Sequence, residues 1–211
     1  MMIRPLSLVT LVLALSTQAL AQKPEGWQVR VDRSANANDP DDVPTVKFTK
    51  MDPGFHVTTG PAAVLYNSKN TVTGSYTLKG TFHLMKPSGH PNYYGLVFGA
   101  NALEGPKQNY LYFLVGQNGT FLIKHRAGDA TTHEVQGRTA NSAIVKPDGE
   151  TGKSANTLEV RVGTDKIDYV VNGTVVHSTP KTGMTARTDG IWGARINHLL
   201  DVHVEGLGLS K

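Results

Sequence analysis

The chain has no cysteine among its 211 residues, which excludes a disulfide framework and any thiolate metal or redox site. Basic residues never run together: the formal net charge is +4, and without Arg4 it falls to +3. No block of Lys and Arg exists to follow a phosphate backbone, so nucleic acid is not the expected partner. Past the first 15 residues no long apolar run occurs, and the opening run "LSLVTLVLAL" (6–15) is shorter than the roughly 20 residues a membrane-spanning helix needs. Nowhere do apolar residues recur over a long segment at i, i+3, i+4 and i+7, so amphipathic helices are not the main element. The short patterns of zinc hydrolases, the G-x-S-x-G elbow and the P-loop are all missing, which removes positive support for nucleophilic, metal or phosphate chemistry.

What is present begins with an export pattern. Arg4 precedes the apolar run, and Ala19-Leu20-Ala21 supplies a small-x-small cleavage site, so residues 1–21 are expected to be a signal peptide with Gln22 as the mature start. The protein is then periplasmic or extracellular. About 190 residues remain, enough for one domain with its own core. It divides into an N-terminal strand and loop over 22–46 and a main body over 47–211, folded together.

Gly is plentiful at 22 residues, and short runs of Val, Ile, Leu, Tyr, Phe and Thr alternate with Gly, Pro, Asn and Asp punctuation. That pattern predicts an all-β domain, a jelly-roll sandwich of two antiparallel sheets. Strands are expected at 27–31, 55–58, 63–66, 76–84, 94–99, 110–115, 120–126, 158–162, 166–171, 174–178, 190–196 and 200–204. The stretch "DRSANANDPDDVPTV" (32–46) reads as a loop. Its Asp32, Asp39, Asp41 and Asp42 offer oxygen ligands to calcium, but their spacing does not fit an EF-hand loop, and the preferred reading is a solvated loop with no metal and no cofactor.

Two Asn-Gly pairs sit between strand-like runs, and each predicts a two-residue type I′ hairpin; both also satisfy the N-glycosylation sequon, which the turn explains without a sugar. For the second, Asp168 is expected to face His177 and Tyr169 to face Val176. For the first, Tyr110, Tyr112, Leu114, Phe121, Ile123 and His125 are expected on one face, opposite Leu111, Phe113, Val115, Leu122, Lys124 and Arg126.

"YTLKGTFHL", "YYGLVFGA", "YLYFLVGQNGTFLIKHRAG", "NTLEVRVGTDKIDYVVNGTVVHS" and "DGIWGARINHLLDVHVEGLGL", in that order, resemble the concanavalin A-like lectin/glucanase superfamily. Within it they resemble the 3-keto-disaccharide hydrolase domain family, over about residues 55–209. The resemblance implies a jelly roll that binds or processes carbohydrate. Laminarinase-type members of the superfamily carry E-x-D-x-E carboxylates on one strand, where same-face neighbours supply nucleophile and acid. Here the six Glu residues (Glu25, Glu104, Glu134, Glu150, Glu159, Glu205) are all far apart in sequence. Any catalytic carboxylates would have to converge from separate strands, with Asp168, Asp189, Asp201 and Glu205 available.

Three readings follow: non-catalytic carbohydrate binding, glycoside hydrolysis, and a surface-interaction domain with an exposed apolar patch. Under the first, which leads, rings stack on a pyranose while fixed polar groups read its hydroxyls. The expected contacts are His90, Tyr93 and Tyr94 in "HPNYYG", with Asn101, Tyr110, Tyr112, His125 and, from "IWGARINH", Arg195. Trp192, on the opposite strand parity from Arg195, belongs in the core, and His56 reads as a lone structural histidine. If Tyr110, Tyr112 and His125 face the ligand, a sugar platform results; if Lys124 and Arg126 do, an acidic ligand is favoured.

Overall fold

The computed structural model describes residues 23–32, 38–42 and 45–210. The expected signal segment (1–21) and parts of the Asp-rich loop lie outside the described residues.

Fourteen strands form two antiparallel sheets of seven. Sheet A has the order β1-β4-β13-β6-β7-β8-β9 and sheet B the order β12-β11-β10-β5-β14-β3-β2. In chain order the strands are β1 Trp27–Asp32, β2 Lys47–Lys50, β3 Phe55–Thr58, β4 Ala62–Val72, β5 Tyr76–Lys86, β6 Tyr93–Asn101 and β7 Asn109–Gly116. They continue as β8 Thr120–Ala127, β9 Thr132–Ala140, β10 Ser154–Val162, β11 Lys166–Val171, β12 Thr174–Pro180, β13 Gly190–Ile196 and β14 Asp201–Ser210. The all-β jelly-roll sandwich expected from the punctuation is therefore the architecture found. Two strands escape the sequence pattern, β2 and β9, and both are sheet edges. The nine residues of β9 (THEVQGRTA) include none buried, as suits an edge that uses polar side chains to discourage further pairing.

Alternate residues of the two sheets interdigitate. Leu96, Phe98, Leu111, Phe113, Val115, Phe121 and Ile123 of sheet A meet Phe82, Leu84, Ile167, Tyr169, Val202 and Val204 of sheet B, all within 1% of fully buried. Trp192 joins them, as its parity predicts. A second apolar layer lies on the outer face of sheet A, where Val64, Tyr66, Tyr93, Val97, Tyr110, Tyr112, Leu114 and Leu122 pack beneath Leu103. The middle strands of sheet A are thus covered on both faces, which explains their unbroken apolar runs.

The two hairpins differ. Asn172 and Gly173 both have positive φ (49° and 83°), the signature of a type I′ turn, and Val171 faces Thr174 as expected. A bulge after Val170 then moves the register: Tyr169 faces His177 and Asp168 faces Ser178, whose hydroxyl donates to Asp168 Oδ1 at 2.6 Å. The predicted Asp168–His177 pair is corrected accordingly. In the first hairpin only Gly119 is left-handed (φ 82°), and its N–H donates to the Gly116 carbonyl at 2.9 Å. This is a type I turn closed by a left-handed glycine, a three-residue loop. One extra loop residue shifts the pairing by one, so Val115 faces Phe121, Tyr112 faces Lys124 and Tyr110 faces Arg126. The expected faces are exchanged on β8, and the tyrosines and the Lys124/Arg126 pair share one side.

Gly119→Ala should therefore destabilise the protein by about 1–2 kcal/mol, because a Cβ at this φ costs that much and would also press on the Lys146 side chain. Urea unfolding measures it, and an unchanged midpoint would contradict the turn assignment.

Candidate functional site

The outer face of sheet A collects the charged groups that the register shift unites. Arg195 on β13 stands opposite Val64 of β4 and Gly95 of β6. The guanidinium leans toward β7, where its Cζ lies 5.4 Å from the Tyr112 ring centroid. Its NH1 donates to Tyr110 Oη (2.9 Å) and to Asp32 Oδ2 (2.5 Å), and Nε donates to Asn197 Oδ1 at 3.1 Å. The other terminal nitrogen makes no hydrogen bond among the described residues, leaving its two N–H donors for a ligand.

Edge strand β1 supplies the counter-charge. Asp32 faces the same side as Arg30, two residues earlier, and Arg30 Nε donates to Asp32 Oδ1 at 3.3 Å. Arg30 also donates to the carbonyls of Leu103 (2.7 Å) and Gly105 (3.1 Å) and to Asp129 Oδ1 (2.5 Å), pinning the β6–β7 and β8–β9 loops. Burial alone would raise the Asp32 carboxyl, but the charge and hydrogen bond of Arg195, with further pull from Arg126 and Arg30, hold it below its ordinary value. Burial pushes the Tyr110 phenol up to about 12, only partly offset by Arg195. Desolvation disfavours the Arg195 charge, yet Tyr110, Asp32 and Tyr112 more than compensate, so it stays ionised.

Arg126, across from Tyr110, donates to Thr132 Oγ1 (3.0 Å) and to the Asp129 carbonyl (2.5 Å). Beside it Lys124 is half-buried opposite Tyr112 and Glu134. Toward β1 the face sinks into a depression of about 420 Å³ lined by Lys23, Gln28, Arg30, Tyr66, Leu103 and Glu104.

Of the predicted contacts, Tyr93, Tyr110, Tyr112 and Arg195 lie on this face. The three rings are at most 7% exposed, so they form a floor under the arginines rather than an open stacking platform. Tyr93 is turned aside, its hydroxyl 2.9 Å from Thr120 Oγ1 and its ring under Arg138. Tyr94 points the other way, into the core, 1% exposed, where it accepts a hydrogen bond from Asn156 at 3.2 Å; alternation places it there, away from Arg195. His125 follows Ile123 to the inner side, 3.1 Å from Asn109 Oδ1 and stacked on His133 at 5.8 Å. Burial and then His133 lower its basicity. Asn101, at the end of β6, donates to the Asn109 carbonyl at 3.4 Å. His90 sits in the β5–β6 loop, 3.4 Å from Asp41 Oδ2. The loop, Asn101 and His125 therefore do not join Arg195 in one site.

Sequence reasoning missed Arg30, Asp32 and Asp129. Alternation of Arg30 and Asp32 on a short strand was the available signal, but Asp32 read as the start of a solvated loop. In the fold it closes β1 instead.

The acids available for hydrolysis are dispersed. Asp168 is held by Ser178 and Lys166, and Asp189 accepts from the Gly74 N–H. Asp201 and Glu205 lie on β14 four positions apart, a rise of about 13 Å between their Cα atoms. Glycosidase carboxyls are about 5–9.5 Å apart, and one must carry a raised pKa. Asp32, the buried acid of the arginine face, is shifted down instead.

No family model and no curated protein matches the chain, so the resemblance to the 3-keto-disaccharide hydrolase domain rests on its motifs alone. Solved structures match the fold. The carbohydrate-binding module CBM66 from Bacillus subtilis superposes with a TM-score of 0.62 at 10% identity, over 88% of this chain and 96% of that one. A Bacillus subtilis protein of unknown function with a galectin-like fold gives 0.58 at 12% identity, over 87% of this chain and 88% of that one. A Bacteroides ovatus GH16 protein, in complex with a G4G4G3G product, gives 0.57 at 8%, over 87% and 94%. At such identities the shared property is the fold, a jelly-roll β-sandwich.

Proposed function

We propose that the protein is an exported, non-catalytic carbohydrate-binding jelly roll, and that its ligand is an acidic saccharide lying across the arginine-lined outer face of sheet A. The observation that carries this reading is the Arg195 fork, fixed by Asp32, Tyr110 and Asn197 while two of its N–H donors stay unbonded. The unbonded terminal nitrogen carries charge and can donate to a ligand carboxylate, and its rigid mounting lowers the entropy lost on binding. Lys124 and Arg126 extend the positive field along the same side. The fold neighbours support the ligand class, one being a carbohydrate-binding module. Asp32 of this face is held below its ordinary value rather than raised as a general acid requires, which favours binding over hydrolysis. The large exposed apolar residues come from separate segments (Val31, Met51, Val145, Val175, Met184, Leu209), which disfavours an apolar interaction patch.

Calorimetric titration of the purified protein with uronate-containing and neutral oligosaccharides tests the reading. Uronate oligosaccharides should bind, and Arg126→Ala should weaken them about tenfold, the loss of one charge-assisted contact of roughly 1.5 kcal/mol. Equal affinity for neutral sugars would reassign the ligand class. Silence toward every saccharide would overturn the function.

A further inference from the structure

Three of the eight histidines, scattered in sequence, meet on the outer face of sheet B. His203 on β14 is directly opposite His56 of β3 and His83 of β5, so the three imidazoles form one row across adjacent strands. Ring centroids are 6.2 Å apart for His56 and His203 and 5.9 Å for His83 and His203. Asp201 and Glu205, two residues either side of His203, share its face and bracket the row. His56 is therefore not the isolated structural histidine that its own strand suggests.

The contacts in the row are not ordinary hydrogen bonds. Glu205 Oε1 lies 3.3 Å from His203 Nε2 and 3.5 Å from His83 Nε2. His83 Nε2 and His203 Nδ1 are both shielded from solvent and without a hydrogen-bond partner, a costly state for polar ring nitrogens. Spacings of 3.3–3.5 Å are long for a charge-assisted hydrogen bond, but they are what two donors adopt around one tetrahedral ion: bonds of about 2.0–2.1 Å set nitrogen and oxygen ligands about 3.3 Å apart. Among the described residues no three such donors meet at one point as their side chains stand. Glu205 and His83 keep 37% and 33% of their side-chain surface exposed, so rotation about their torsions can bring them to His203, which is held nearly buried at 11%.

The geometry points to a transition-metal site on sheet B, with His203 and His83 as imidazole ligands, Glu205 as the carboxylate ligand and a fourth position open to solvent. Two imidazoles with one carboxylate form a borderline donor set suited to Zn²⁺, Ni²⁺ or Cu²⁺ rather than to calcium. His56, 2.7 Å from Asp201 Oδ1, flanks the site on the far side of His203 without entering it. The site lies on the opposite sheet from the arginine face and is independent of what binds there.

The test is titration of the tag-free chain with Zn²⁺ by calorimetry and with Co²⁺ by visible absorbance, which reports tetrahedral ligation. One equivalent should bind, with a tetrahedral Co²⁺ band and a raised melting temperature. His83→Gln and Glu205→Gln should each weaken Zn²⁺ at least tenfold, the usual scale for losing a ligand or its support. His56→Gln should leave affinity within about twofold, and all three side chains are solvent-facing enough for the variants to fold, which circular dichroism checks. No uptake of Zn²⁺, Co²⁺, Ni²⁺ or Cu²⁺ by the native chain would overturn the site. So would a loss of binding in His56→Gln with binding intact in His83→Gln.

Discussion

Replacing Arg195 with alanine is expected to cost about 3–5 kcal/mol of folding stability and to abolish binding at the arginine face. The size comes from what the substitution leaves behind. Among the described residues Asp32 would keep the 3.3 Å contact with Arg30 alone, and its side chain, 11% exposed, would be buried beside an empty space. Removing one partner of a buried pair costs more than the pair contributes, because the survivor is neither hydrated nor neutralised. Tyr110 and Asn197 each lose a hydrogen bond as well. For a domain of this size the melting temperature should fall by about 6–20 °C. Arg195→Lys should recover part of the charge but not the fork, so the fold returns further than the binding does. The pair also sets a pH dependence. Asp32 is held below its ordinary value by Arg195, so its contribution is complete above the unfolded carboxyl value and is lost as pH falls through the folded one. The gap between native and Arg195→Ala stability should accordingly close at low pH. A urea series at pH 7 showing less than 1 kcal/mol of loss would refute this account.

The alternation of apolar and polar residues carried most of the architecture, because a half-buried strand must repeat every two residues and turns must be made by residues that tolerate them. β3, β11 and β13 appear over the expected spans, and Trp192 and Arg195 take the opposite sides that parity assigns them. Edge strand β9 was hidden because an edge is stabilised by remaining polar. The site was less visible for a reason of one residue. Asn-Gly fits two hairpin loops, and which one forms depends on whether Asn118 itself turns left-handed or leaves that to Gly119 alone. The choice decides whether His125 or Arg126 joins the tyrosines, and nothing local to the turn encodes it. What selects the three-residue loop is the sandwich: it buries Phe121 and Ile123 beside Phe113, whereas the two-residue register would have set Lys124 and Arg126 on the core side. Long-range pairing likewise decides the His56–His203–His83 row, since β3, β5 and β14 meet only through the topology of sheet B.

Phe113→Ala turns that register argument into an energy. The ring is fully buried, 5.3 Å from Tyr169 of the facing sheet and 6.2 Å from Phe121 on the neighbouring strand, so it ties β7 to β8 and to β11 at once. Truncating a buried phenylalanine costs about 3–5 kcal/mol through lost transfer energy and the cavity left behind, and packing with both neighbours places this one toward the upper end. Its own neighbours on β7, Tyr112 and Leu114, point to the opposite face. Loss of stability should therefore come without loss of ligand contact: below its lowered melting temperature the variant should bind an acidic saccharide within about twofold of the native protein. Under the two-residue register Phe113 would share a side with Lys124 and Arg126, and the same substitution would weaken binding together with stability. Unfolding and calorimetry on one variant separate the two arrangements, and a coupled loss in the folded state would favour the register that the Gly119 turn excludes.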